Sequence, residues 1–331
     1  ARRRRRQWRQ PCGQDRSVAD GGLIGADFEP RTGTMTGQFA PFFMHWQTTR
    51  FTIDLTRPRV MGIVNVTPDS FSDGGLHGGF AAALRHCERI LDEGADILDI
   101  GGESTRPGAT PVSAEVELGR IVPLLREVAR FGVPLSVDTF KPEVMRAVLE
   151  LGADIINDIR ALREPGAMDV VARHPACGIC LMHMHRDPQS MQLAPMKGDV
   201  VPVVRDFLAS AAAQAVSLGV SAARIVLDPG IGFGKTVAQN FSLLARQAEL
   251  LKTGYPILAG WSRKSSLGTV AARKGHAPEP GERLGASVAA AVLAAERGAR
   301  VLRVHDVRET VQALAVWSAV REQAAPGTHF S

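Results

Sequence analysis

Asp96-Ile-Leu-Asp-Ile-Gly-Gly-Glu-Ser-Thr-Arg-Pro-Gly108 passes from a short apolar run, Asp96–Ile100, into a polar loop of glycine, hydroxyl and proline residues, and Ala114–Ala129 then carries helical apolar spacing. A run this short and this continuous in apolar character suits a strand covered on both faces. The loop and helix that follow it suit the crossover of a parallel sheet. The unit recurs along the chain. Further apolar runs stand at Val60–Val64, Pro134–Val137, Asp154–Asn157, Gly178–Met182, Arg224–Leu227, Pro256–Ala259 and Val301–Val304, which makes eight with the first. Helical spacing falls between and after them at Ala81–Leu91, Pro142–Leu151, Gly166–His174, Val200–Leu218, Asn240–Leu251, Leu284–Ala295 and Val307–Val320. Ser113 and Lys141-Pro142 supply helix starts of the usual chemistry.

Eight strand–helix units with right-handed crossovers close most economically into an α/β fold of the (β/α)8 TIM-barrel type. An open doubly wound sheet seldom needs eight equivalent units. Thr49–Leu55 alternates polar residues with Phe51, Ile53 and Leu55, which predicts a short N-terminal β-hairpin capping the bottom of the barrel. The 331 residues therefore divide into a leader (1–43), one barrel domain (44–325) and a short tail (326–331), with no domain boundary after residue 50.

The formal charge of +5 raises the question of nucleic acid, and its location answers it. Residues 1–43 hold eight arginines against four acidic residues, so +4 of the total sits there and the remaining 288 residues are nearly neutral. The part that folds offers no basic patch for nucleic acid. The leader lacks apolar periodicity and is expected to be a disordered basic segment, with Met35 and Met44 as candidate starts. No apolar stretch of signal-peptide type follows its arginine run, and no stretch approaches 18 uninterrupted apolar residues, so neither secretion nor a membrane span is expected. Four scattered cysteines, Cys12, Cys87, Cys177 and Cys180, fit a reducing cytoplasm rather than a disulfide framework. Cys177-x-x-Cys180 with His183 and His185 behind it invites a metal, but an extended Gly178–Met182 strand cannot fold both thiols around one ion.

The chemically unusual residues collect at one place in each unit, after the strand and before the helix. They are Asn65-Val-Thr-Pro-Asp-Ser-Phe-Ser-Asp-Gly-Gly75, Gly101–Gly108, Asp138-Thr139, Asn157-Asp158, His183-Met184-His185, Asp228-Pro-Gly-Ile-Gly-Phe-Gly-Lys235, Ser262-Arg-Lys-Ser265 and Arg303-Val-His305-Asp306. In a barrel these positions converge on the C-terminal mouth, where this fold keeps its active sites. Asp138, Asn157 and Asp228 on strand ends can accept and donate to the edge of a heterocycle with several N–H groups. Asp158 and Asp306 read instead as helix N-caps. Lys264, Arg263, Arg303, Arg106 and His305 at the same mouth suit an anionic leaving group such as diphosphate, with Arg263 equally open to a rim salt bridge. The glycine run Gly230–Lys235 is one residue too short between its glycines to be a nucleotide P-loop.

These blocks together resemble the dihydropteroate synthase family, in Met61–Gly75, Gly101–Ala109, Asp228–Lys235, Ser262–Ser265 and Arg303–Asp306, and the resemblance covers roughly residues 44 to 325. It implies condensation of a dihydropterin-methyl diphosphate with p-aminobenzoate, in folate biosynthesis, by a transferase of the kind that sulfonamides target. It implies that Asp138, Asn157, Asp228 and Lys264 hold the pterin with Met182 packed beside it, and that Asn65, Arg303 and His305 bind diphosphate with Mg²⁺ bridging to Asn65. Thr105, Arg106, Pro107, Ser265 and Phe233 would form the p-aminobenzoate site. Asp138, Asp228, Lys264, Arg303 and His305 would carry the catalysis, in a cytoplasmic homodimer whose partners are small molecules. Pterin-dependent methyltransferases share the barrel and the pterin-holding pattern but have no use for the anion-binding set, and a silent pterin-binding homologue would not need it either.

Overall fold

A computed structural model of the chain describes residues 44–66, 75–105 and 108–324; the expected leader and tail lie outside the described residues. Eight parallel strands form a closed barrel. In chain order they are β3 (Arg59–Asn65), β4 (Ile97–Gly101), β5 (Leu135–Asp138), β6 (Ile155–Asp158), β7 (Gly178–Met182), β8 (Ile225–Asp228), β9 (Ile257–Ala259) and β10 (Ala299–Val304). Each pairs with its sequence neighbour, and β10 pairs with β3 to complete the ring, as expected for repeated crossovers of one hand. Ahead of them, β1 (His45–Gln47) and β2 (Thr52–Asp54) form an antiparallel hairpin in the register Trp46↔Ile53. The predicted Thr49–Leu55 segment is its turn and second arm.

The strands are apolar on both faces because both faces are covered. Outward residues such as Val64, Leu98, Val137 and Ile156 meet the helices in one continuous core. Inward residues Met61, Ile97, Ile155, Cys180, Val226, Leu258 and Val301 form a second core with Trp46, Phe51, Ile53 and Leu55 of the hairpin. The hairpin thus plugs the N-terminal end of the barrel. Trp46 Nε1 donates to Arg224 O at 2.9 Å, and the Arg50 guanidinium reaches the buried Asp154 carboxylate at 2.6 Å. Gly178 opens β7 where the hairpin presses closest; a Cβ there would stand 3.0 Å from both Thr48 and Trp46.

The helices are α1 (Gly75–Glu93), α2 (Ala114–Val128), α3 (Pro142–Glu150), α4 (Ala167–Arg173), α5 (Val200–Ser217), α6 (Val237–Ala245), α7 (Gln247–Leu251), α8 (Ser265–Ala271), α9 (Leu284–Glu296) and α10 (Val307–Ala324). Three depart from the sequence reading. The α1 helix starts six residues before the predicted Ala81, in a glycine-rich stretch whose apolar periodicity begins only at Phe80. The predicted Asn240–Leu251 helix breaks at Arg246 (φ −105°), which turns Gln247 inward so that its amide donates to Ala294 O and Arg297 O at 3.0 Å. The α8 helix was not anticipated, since Ser265, Ser266, Gly268 and Thr269 are poor helix formers. Among the described residues α5 alone is long and apolar enough to cross a bilayer; it carries Arg205 and Asp206 and packs its Val204, Leu208 and Ala212 face onto the barrel, beside β7 and β8.

Candidate active site at the barrel mouth

At the C-terminal mouth, strand geometry brings four carboxylate and amide side chains together. Arg303, inward on β10, donates from Nε to Asp99 Oδ2 and from Nη2 to Asp138 Oδ2, both at 2.6 Å. Asn157 Nδ2 donates to both oxygens of Asp99 at 3.3 Å. Asp228, across the barrel on β8, accepts from Gly230 N at 2.7 Å, which fixes its carboxylate plane. Lys264 leaves the end of β9 and lays its ammonium 4.3 Å over the Phe233 ring, with its aliphatic stem against Gly232. Met182, Met184, Met191, Ile159 and Phe233 pack as a small apolar cluster on this floor.

Burial sets the electrostatics. It pushes the Asp138 carboxyl up to about 7, with Arg303 pulling the other way and Asp99 adding to the rise. Burial likewise raises Asp228, against Gly230 N–H and Lys264. It lowers Lys264 to about 8, helped by the neighbouring Arg303 cation. Burial also works against the Arg303 cation, but Asp99 and Asp138 outweigh it and hold the guanidinium above its ordinary range.

The second half of the mouth is the cationic rim. Asn65 at the end of β3, His305 and Arg263 line one cavity of about 690 Å³ with Arg85, Arg89 and Arg308, and Glu93, Asp306 and Glu309 line it too, Arg89 and Arg308 both pairing with Glu93. The His305 ring is oriented by Ser262, whose Oγ stands 2.9 Å from Nδ1. Arg263 takes a left-handed backbone (φ 60°) and pairs with Asp306, so the rim salt bridge is its role here.

A family model for pterin binding enzymes matches residues 61–305. A dihydropteroate synthase of Neisseria meningitidis serogroup C is 50% identical over 283 residues, covering 83% of this chain and 97% of the relative. The chain belongs to the dihydropteroate synthase family. Two solved family members superpose on it. A Xanthomonas albilineans dihydropteroate synthase with 4-aminobenzoic acid aligns with TM-score 0.76 and 53% identity, over 83% of this chain and 96% of that one. A Burkholderia cenocepacia dihydropteroate synthase complexed with 7,8-dihydropteroate aligns with TM-score 0.76 and 50% identity, over 87% and 99%.

Within this dihydropteroate synthase barrel, the expected site residues fall in two groups. Asp138, Asn157 and Asp228 stand at the inner strand ends, Met182 and Phe233 share the small apolar cluster with Lys264 over the Phe233 ring, and Asn65 and His305 share the rim cavity. Thr105 is half-buried and Ser265 exposed at the start of α8. Arg106 and Pro107 lie outside the described residues. Arg303, expected to bind diphosphate, bridges Asp99 and Asp138 at the inner end of the site. Asp158 does cap backbone, but of the turn before α4: it accepts from Arg160 N and Leu162 N at 2.7 Å. The Asp306 carboxylate is taken by Arg263.

Sequence reasoning passed over Asp99. Its signal was present: a carboxylate inside the apolar run Ile97–Ile100 must find partners, because an unpaired buried charge is too costly to keep. It also missed Ser262 as the orienting partner of His305. The Gly230–Lys235 run proves structural, with the Lys235 ammonium donating to Gly230 O at 2.8 Å and Phe233 O at 3.1 Å inside its own loop. Cys177 Sγ accepts from Arg224 Nη2 at 3.1 Å, and Cys180 belongs to the inner core.

Proposed function

We infer that this chain condenses 7,8-dihydropterin-6-ylmethyl diphosphate with p-aminobenzoate, releasing 7,8-dihydropteroate and diphosphate. What carries the inference is that a buried, hydrogen-bonded carboxylate–amide floor and a cationic rim open into the same mouth. The floor matches the N–H edge of a pterin and the rim matches a departing diphosphate.

In this reading Asp138, Asn157, Asp228 and Lys264 hold the pterin, and Met182 packs against its ring. Asn65 and His305 take the diphosphate with Arg303 behind them, and Thr105, Arg106, Pro107, Ser265 and Phe233 form the arylamine site. The methylene C–O bond breaks first and its electron pair leaves with diphosphate. The pterin-methyl cation is then captured by the arylamine nitrogen, which forms the C–N bond and loses one proton. Asp138 and Asp228 offset the positive charge as it develops, and His305 and Arg303 stabilise the departing anion. Among the described residues no cluster of three or more His, Cys, Asp or Glu could cage a metal. Asn65 offers one amide oxygen facing the mouth, 3.8 Å from where a Cβ on Gly101 would stand. That donor set fits Mg²⁺, which keeps to substrate phosphates and few protein ligands. When bound, Mg²⁺ would neutralise charge on the leaving diphosphate. A cytoplasmic location agrees with three buried free thiols. A homodimer agrees with exposed Leu284 and Leu293 on α9 and Val316 and Val320 on α10.

The test is diphosphate release. The protein with both substrates and Mg²⁺ should liberate diphosphate and dihydropteroate in equal amounts. Tight pterin binding with no diphosphate release under any arylamine concentration would mark a silent homologue, and methyl transfer would mark the sister activity.

A further inference from the structure

Glu103 stands two residues before Thr105 in the segment that follows β4, and Lys141 stands three residues beyond Asp138. Their side chains meet. The Lys141 ammonium donates to Glu103 Oε2 and, at 2.5 Å, to Glu117 Oε2 on α2. All three are withdrawn from water, with side-chain exposures of 14%, 9% and 1% for Lys141, Glu103 and Glu117. Neighbouring backbone is held as well. Arg120 Nη1 donates to Gly102 O at 2.7 Å, and a Cβ on Gly102 would press on Ile121 at 2.9 Å and Glu117 at 3.1 Å. On its other side Lys141 follows Phe140, which packs against the cluster holding Phe233 and Met182; the ammonium sits 4.8 Å over the Phe140 ring.

Two carboxylates on one ammonium exceed what charge balance needs. Glu117 is rooted in a helix and pairs with Lys141 whatever the β4 segment does. The contact with Glu103 ties that segment to the loop just past β5, beyond the last strand pairing of Gly101 with Asp138. A buried ion pair contributes little stability over an apolar pair of the same volume, so its value here is where it places the chain.

We propose that Lys141 is a positioning residue for the arylamine site: through Glu103 it fixes Thr105 relative to Asp138 and Phe233, while Glu117 keeps the ammonium in place. This rests on the reading that Thr105 contacts p-aminobenzoate. Breaking the contact displaces the arylamine half of the site and leaves the pterin half intact.

Steady-state kinetics on Glu103→Gln, Lys141→Met, Lys141→Arg and the Glu103→Gln/Lys141→Met double variant test it. In Glu103→Gln, which keeps the Lys141–Glu117 pair and exchanges the charged acceptor for a neutral amide oxygen, the KM for p-aminobenzoate should rise roughly threefold to tenfold, with the KM for the pterin diphosphate unchanged. Lys141→Met, which removes the hydrogen bond outright, should raise it roughly ten- to a hundredfold, Lys141→Arg should recover part of that loss, and the double variant should be no worse than Lys141→Met. Equal effects on both KM values, or a lowered melting temperature with wild-type kinetics, would overturn the proposal while leaving the synthase reading intact. Absence of diphosphate release by the unmodified protein would overturn the synthase reading, and the proposal with it.

Discussion

At the scale of single residues, Asp138 is the group whose ionisation the chemistry depends on. Protonated, it accepts a pterin N–H more weakly and cannot offset cationic charge. Since burial lifts it to about 7, kcat/KM for the pterin diphosphate should fall as pH drops through that value. Asp138→Asn keeps the shape, so it should lower kcat roughly 10²–10³-fold and also flatten this limb. A profile between pH 5.5 and 8.5 on both proteins checks it, and an unchanged limb in the variant would assign the titration elsewhere. Asp138 was legible in the sequence because it ends a strand run, where polar side chains collect at the mouth. Asp99 was not, because two positions earlier it sits among Ile97, Leu98 and Ile100, and apolar neighbours mask a single inward carboxylate. The bond that makes sense of it comes from Arg303, 204 residues away. Pairings across the barrel have no local signature, which is why the bridge from Arg303 to Asp99 and Asp138 could not be read from the sequence.

Elements were read best where packing alone decides them. All eight barrel strands follow from continuous apolar runs, since burial on both faces leaves no other pattern. The short α8 helix was hidden because its sequence spends its positions on hydroxyls and a glycine. Gly268 lies against Arg283, where a Cβ would come within 2.7 Å of Nε, so the residue serves the fit rather than the helix. The β8–α6 segment shows the same trade more sharply. Gly230, Gly232 and Gly234 all have positive φ, and a Cβ on Gly230 would stand 1.9 Å from His183 O. Gly230→Ala should therefore cost about 2–4 kcal/mol, from the strained backbone and a displaced carbonyl together. Gly219→Ala shares the positive φ (91°) but faces open space, so it should cost only about 1–2 kcal/mol. Urea unfolding of the two variants separates strain from collision. Equal losses would mean that the loop yields without resistance.

On the scale of the whole molecule, the hairpin decides more than the stability of one end. Trp46, Phe51, Ile53 and Leu55 leave the barrel no passage through its floor, and the inner core above them is filled by side chains from seven strands. Traffic is confined to a single doorway. On the proposed assignment of the two half-sites, a pterin seated on the Asp138–Asp228 floor should arrive before an arylamine seated near Thr105 and Ser265, which would then bar its exit. The kinetic scheme then follows from plumbing: pterin diphosphate first, arylamine second. A sulfonamide that mimics p-aminobenzoate should compete with p-aminobenzoate and be uncompetitive toward the pterin diphosphate, its grip tightening as the first substrate accumulates. Initial-rate inhibition patterns against each substrate decide the matter, and random-order patterns would mean that the two halves of the mouth have separate doors.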